Sequence, residues 1–171
     1  MTRDQFEDKV LSQQDKMFRY AASLVFDLEM AKDVVQEVLE KLWKQKDRLD
    51  DIDNIPGWCI RITRNTCYDK MRSPKNKTLG LESLHERSAL HAIPDQQSED
   101  KDLIQAMHGL LKDLPEQQRE IFRLRELLGY SNKEIEGLML LNEGQVKVNL
   151  FRARQKIKHR LTKLMNYGLT K

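Results

Sequence analysis

The stretch AKDVVQEVLEKLW, residues 31–43, constrains the fold more than any other part of the chain. Ala31, Val34, Val35, Val38, Leu39, Leu42 and Trp43 recur with a helical period. Lys32, Asp33, Gln36, Glu37, Glu40, Lys41 and Lys44 fall on the other side. A helix with one apolar stripe has to bury it against neighbours, and the flanking sequence supplies them. Thr2 and Gln5 form a capping box ahead of Phe6, Val10, Met17, Tyr20, Leu24 and Val25, with a break near Ser12. After the polar, turn-prone DRLDDIDNIP, Pro56 suits the first turn of a helix running through GWCIRITRNTCYDKM, which Ser73-Pro74 ends.

From Lys75 to about Lys101 no apolar face is sustained. Gly80, Pro94 and several Ser, Gln and acidic residues predict a flexible linker. Helical patterning resumes through Leu103, Ala106, Met107, Leu110 and Leu111. Pro115 opens PEQQREIFRLREL, which Gly129 closes. Ser131 and Glu134 then cap a short helix, and Asn142 with Gln145 suggests a further cap just after it. Two capped helices separated by so short a turn make a helix-turn-helix. The expectation is an all-α protein: two small helical domains joined by a flexible linker, the C-terminal one with a helix-turn-helix.

At 171 residues, 39% hydrophobic and 33% charged, the chain suits two small lobes better than one large catalytic core. Its apolar runs are too short to cross a bilayer and MTRDQFEDK lacks the apolar segment of a secretory signal, so a cytoplasmic protein is expected, without membrane insertion. Cys59 and Cys67, on one helix, would lie roughly 12 Å apart, beyond disulfide reach, and are expected to be reduced and structural. The four histidines have no short spacing to cysteine or acidic residues. Neither a metal site nor a cofactor is expected. Phosphate-loop glycines and a histidine paired with a nucleophile are also missing, so enzyme activity has little support.

Net charge is unevenly distributed. Residues 1–75 carry 14 basic and 14 acidic side chains, residues 76–102 carry 3 and 6, and residues 103–171 carry 13 and 7. Glu143 is the last acidic residue, and eight lysines and arginines follow it. Counting about 100° per residue from Val146, Leu150, Ala153, Ile157, Leu161 and Leu164 fall in one stripe expected to pack on the first two helices of the lobe. Lys147, Val148, Phe151, Arg152, Gln155, Lys158 and His159 lie away from it. Such a face is either a solvated cationic surface or a reader of duplex DNA. In the second case Gln145, Lys147, Asn149 and Arg152 reach base edges or phosphates, and Val148 or Phe151 touches thymine methyls.

Two further surfaces stay open on the residues alone. Trp58, Ile62 and Tyr68, interleaved with Arg61, Arg64, Asn65, Lys70 and Arg72, suit unstacked single-stranded bases, but Trp58 and Ile62 at a spacing of four equally suit a core. The mixed charge opposite Val34–Trp43 suits either solvent or a docked partner.

Taken in order, DLEMAKDVVQEVLEKLW…IPGWCIRITRNTCYDKMR and LPEQQREIFRLRELLGYSNKEIEGLMLLNEGQVKVNLFRARQKI resemble an extracytoplasmic-function (ECF) sigma factor of bacterial RNA polymerase. The resemblance implies an initiation subunit that binds core polymerase and promoter DNA, both as duplex and as melted strand. It implies a region-2-like domain at 1–74, a linker at 75–101 and a region-4-like domain at 102–171. Asp33, Gln36, Glu37 and Lys41 would face the clamp helices of the largest polymerase subunit. Arg61, Arg64, Asn65 and the loop at Asp50–Asn54 would capture the melted minus-ten strand. Gln145, Lys147, Val148, Asn149, Arg152 and Arg154 would form the minus-thirty-five reader, with Arg119, Ser131 and Lys133 on phosphates. The acidic linker would complement cationic polymerase channels, and an anti-sigma factor is the implied regulator. The chain departs from the family pattern at Glu136, where a small residue is common, at Leu140, where the turn commonly has glycine, and at Val148, a position often held by a small polar residue. A conventional helix-turn-helix regulator would have no need of RITRN paired with KDVVQEVLEKLW, and a helical adaptor with incidental basic charge would keep its partner binding and any transcriptional output when Arg152 and Lys147 are replaced by alanine.

Overall fold

The computed structural model of the chain describes residues 1–73 and 96–168. Every regular element among them is helical, and the chain divides into two compact units, Met1–Gln105 and Ala106–Lys171.

In the first unit, α1 (Arg3–Lys9) starts on the expected capping box: Gln5 N–H donates to Thr2 Oγ1 at 3.3 Å, and Thr2 N–H donates to Gln5 Oε1 at 2.9 Å. A 3₁₀ turn at Leu11–Gln13 is the expected break. Helix α2 (Gln14–Val25) stops on Phe26 in the left-handed region, and Asp27 then caps α3 (Leu28–Lys44), accepting from Met30 N–H at 2.9 Å. A second 3₁₀ stretch, Lys46–Asp51, leads to α4 (Ile55–Arg72). There Asn54 accepts from Gly57 N–H at 3.0 Å and Pro56 lies in the first turn.

Helices α2, α3 and α4 pack pairwise on one another. Met17 and Tyr20 of α2, Val34, Val38 and Leu42 of α3, and Cys59 and Cys67 of α4 are fully enclosed. Thr63 survives burial because its hydroxyl donates to the Cys59 carbonyl at 2.8 Å. Both cysteines are free thiols, and burial pushes Cys59 up to about 12, which keeps it protonated and inert. Trp43 departs from the expected stripe. At about 100° per residue it lies beyond Leu39 at the edge of the apolar arc, and it is largely exposed. Its ring meets Phe6 edge-on, centroids 5.0 Å apart, and carries the Lys46 ammonium 4.6 Å from its centroid.

Helix α5 (Gln96–Leu111) runs across the division between the two units and begins ahead of the expected residue 102, and the part of the expected linker up to residue 95 lies outside the described residues. Leu103, expected on its apolar stripe, is exposed, whereas Leu111 is buried. Helix α6 (Glu116–Phe122) widens into a π turn at Arg123–Leu127, where Leu128 N–H reaches the Arg123 carbonyl at 3.2 Å. Gly129, with φ at +74°, closes it, and Tyr130 N–H donates back to the Leu124 carbonyl at 3.0 Å.

Helices α7 (Asn132–Met139) and α8 (Glu143–Gly168) follow, joined by Leu140, Leu141 and Asn142, as the paired caps require. Leu140 closes α7 in the left-handed conformation, φ +55°, while 84% exposed. A leucine in that position carries backbone strain that glycine does not, and here it has little packing to offset it. Leu140→Gly should therefore stabilise the second unit by about 0.5–1 kcal/mol. Urea denaturation should show a higher midpoint at unchanged slope; a lower midpoint would contradict this reading.

The stripe on α8 is buried at Val146, Leu150, Ala153 and Ile157 but not beyond. Leu161 is exposed, and so is Leu164, at 60%. The reason is length. At 1.5 Å per residue α8 extends about 39 Å, whereas the α-helical parts of its main partners, α6 and α7, have only 7 and 8 residues. Ala153 and Ile157 close against Leu111 and Leu114, with Met107 and Phe122 alongside; past that cluster Arg160 still pairs with Asp113, but the apolar stripe is uncovered.

Candidate nucleic-acid interface

The helix-turn-helix is held by a single buried side chain of α7, Ile135, together with caps at both helix starts. Ser131 N–H and Oγ both donate to Glu134 Oε2 at 2.7 Å, and Glu134 N–H donates to Ser131 Oγ at 3.3 Å. The hydroxyl expected on phosphate is thus already serving as a cap, while Lys133 beside it is exposed and has no ion pair or hydrogen bond among the described residues. At the start of α8, Gln145 N–H donates to Asn142 Oδ1 at 2.9 Å and Asn142 N–H donates to Gln145 Oε1 at 3.0 Å.

The side chains expected to read DNA fall into two groups. Gln145 is used in the cap. Asn149 donates to the Gln145 carbonyl at 2.8 Å and to Gln117 Oε1 at 3.2 Å. Arg154 donates through Nε and Nη2 to Glu126 Oε1 at 2.8 and 2.5 Å, which turns it to the flank of α8 against the end of α6. Lys147 is ion-paired with Glu143 one turn back. That contact holds the Glu143 carboxyl below its usual range, and the same carboxylate, with a smaller contribution from Glu136, raises Lys147.

Val148, Phe151 and Arg152 form the second group. They project from the side opposite the buried stripe, Val148 46% and Phe151 63% exposed, and Arg152 has no ion pair or hydrogen bond among the described residues. Arg119 is half-buried and donates to the Leu114 carbonyl at 2.8 Å.

In the first unit, Trp58, Arg61, Asn65, Tyr68 and Arg72 line one face of α4 at spacings of three and four. Arg61 lies 6.0 Å from the Trp58 ring centroid, and Arg64 and Arg72 lie 5.5 and 5.9 Å from that of Tyr68. Aromatic planes edged by guanidinium groups can take stacked bases with phosphates alongside. On α3, Asp33 and Gln36 are exposed, whereas Glu37 turns toward α4. Its carboxylate accepts from Lys41 at 2.7 Å and from Lys70 of α4 at 3.1 Å, and Lys41 also donates to Thr66 at 3.3 Å. Lys41, and secondarily Lys70, hold the Glu37 carboxyl below its ordinary value of 4.5. The link between the helices is therefore complete at neutral pH and is lost only as pH falls through that depressed value.

Glu143, Glu126 and Gln117 were not foreseen among the functional side chains. The Glu143–Lys147 spacing of four was legible. The contacts of Glu126 and Gln117 span 28 and 32 residues and carry no local signal.

Among the described residues every regular element is helical, and the helix-turn-helix of the second unit is a geometry suited to duplex DNA; comparison with known proteins narrows the class. The Sigma-70 region 2 family model matches residues 10–77 and the Sigma-70 region 4 model matches residues 104–157. The ECF RNA polymerase sigma-E factor of Escherichia coli is 30% identical over 142 residues, covering 78% of this chain and 74% of that protein. The RNA polymerase sigma-H factor of Pseudomonas aeruginosa is 27% identical over 169 residues, covering 94% and 88%. Two solved structures share the fold. CnrH, in complex with the cytosolic domain of CnrY, has a TM-score of 0.68 at 20% identity, covering 95% of this chain and 90% of its own. RpoE of Bartonella quintana, in complex with the anti-sigma factor NepR, has a TM-score of 0.65 at 24% identity, covering 92% and 97%.

The chain belongs to the ECF family of RNA polymerase sigma factors. It is a promoter-specific initiation subunit acting with bacterial core polymerase. No helix among the described residues is long and apolar enough to cross a membrane.

Proposed function

We propose that the two units divide promoter recognition between them, with domains at 1–74 and 102–171 joined through 75–101, in the cytoplasm and without catalysis of its own. Asp33 and Gln36 meet the polymerase clamp helices directly, while Glu37 and Lys41 serve the same surface and also brace α4. Arg61, Arg64 and Asn65 follow the melted minus-ten strand, with Tyr68 and Trp58 as stacking planes. Arg152, Val148 and Phe151 read the minus-thirty-five duplex, Lys147 and Lys133 meet its phosphates, and Gln145, Asn149 and Arg154 set the geometry of the reading helix. Ser131 and Arg119 serve the helix-turn-helix as a cap and a carbonyl clamp rather than as principal phosphate contacts.

The observation that carries this reading is the exposed Val148–Phe151–Arg152 face on a helix whose opposite side is buried from Val146 to Ile157. A solvated surface helix has no need to hold a phenylalanine in water beside an arginine that lacks an acidic partner. As with RpoE of Bartonella quintana, solved in complex with the anti-sigma factor NepR, an anti-sigma factor is expected to hold the free protein.

Purified chain added to bacterial core polymerase should form a stable complex and give run-off transcripts from promoters mapped after overexpression. Tight duplex binding by the chain alone, with no association with core, would instead favour a conventional regulator.

A further inference from the structure

Three cations lie on the first half of α8, Lys147, Arg152 and Arg154, and two of them are already matched by carboxylates. The two pairs differ in kind. Arg154–Glu126 joins α8 to the end of α6 and therefore belongs to the framework of the unit. Glu143–Lys147 lies within one turn of α8, with both side chains about 60% exposed, and joins nothing to anything else. It stands at the helix start that, on the proposed reading, faces the DNA backbone. Its carboxylate engages one of the three N–H donors that the Lys147 ammonium could offer to a phosphate oxygen.

We infer that Glu143 is an intramolecular competitor of DNA phosphate for Lys147, and that it restrains the sequence-independent hold of the C-terminal unit on duplex DNA. This rests on the assignment of α8 as the reading helix. With Glu143 on one of its three N–H donors, Lys147 meets a phosphate as a partly neutralised cation, and Glu143 stays beside the phosphate as a like charge. Both effects lower affinity for any duplex, whatever its sequence. Glu136 on α7 adds to the negative field at Lys147 without contacting it, so Glu143 is the group to remove. The consequence for a subunit that must find promoters as part of holoenzyme is a weaker attachment to bulk DNA when it is alone.

The test is a double-mutant cycle on the full chain with Glu143→Gln and Lys147→Gln. Binding to a fluorescent random-sequence duplex would be measured by anisotropy over a series of KCl concentrations. At the lowest salt Glu143→Gln should bind about two- to fivefold more tightly. Its log Kd against log salt should steepen by about 0.9, the signature of one further phosphate contact. In the Lys147→Gln background the same change should have little effect. An unchanged affinity and slope for Glu143→Gln would overturn the proposal. So would an equal gain with and without Lys147, because Glu143 would then act through the general field of the lobe. Failure of every version to bind the duplex also overturns it. Core-dependent run-off transcription by the unaltered chain tests the underlying reading separately, so the two failures can be told apart. Circular dichroism of each variant checks that α8 is retained.

Discussion

Ile135→Ala should unfold the helix-turn-helix while sparing the first unit. Ile135 is the one buried residue of α7, and it has no exposed surface. Truncating a fully enclosed isoleucine costs about 2–5 kcal/mol, through lost burial and the cavity left behind. A unit of this size has a total stability on the order of 3–10 kcal/mol. The loss therefore takes a large fraction of what holds α7 against α6 and α8. Urea denaturation followed by circular dichroism should show an early transition for the second unit and an unshifted one for the first. Association with core polymerase through α3 should survive, whereas transcription that depends on a minus-thirty-five element should collapse. Wild-type behaviour of Ile135→Ala in both assays would mean that α7 is held by something other than its one buried side chain.

Arg152→Ala should produce the largest loss of promoter recognition without a loss of fold. Arg152 has no ion pair or hydrogen bond among the described residues, so its removal leaves no uncompensated charge and opens no cavity. If it reads a base edge, the cost is about 1–3 kcal/mol in binding, and each 1.4 kcal/mol is tenfold in output at limiting holoenzyme. Lys163→Ala removes the same charge three turns further along α8, past the last buried residue of the stripe, and should change output far less. Equal effects from the two substitutions would show that α8 supplies only general positive charge.

Much of this architecture was legible without coordinates, because its signals are local. The boxes Thr2–Gln5, Ser131–Glu134 and Asn142–Gln145 are contacts between residues three apart, and each formed as its spacing required. The apolar positions of α2 and α3 were equally readable, since periodicity and burial coincide where a helix is covered along its length. Trp43 sits at the edge of the apolar arc of α3, whereas Leu103, Leu161 and Leu164 were misplaced for a different, shared reason. Periodicity reports which side of a helix is apolar, and how far along that side a neighbour reaches is a property of the neighbour. On α8 the short partners α6 and α7 end the burial at Ile157.

The reading face shows the same division. The sequence by itself determined that α8 would be helical, capped, basic and apolar on one side, because each of these depends on residues within a few positions of one another. It also determined the order of the two sigma-like blocks. Only the tertiary structure decided which polar side chains remain available to a ligand. Glu126 reaches Arg154, Gln117 reaches Asn149, and Glu37 on α3 reaches Lys70 on α4, each across more than 25 residues of chain. A carboxylate or amide brought to 2.8–3.2 Å removes a donor from the surface as effectively as a substitution would. Folding thereby left Arg152 as the one unmatched cation on the first half of α8, flanked by Val148 and Phe151, with Lys147 held in check by Glu143, while Lys156, Lys158 and Lys163 stay exposed further along.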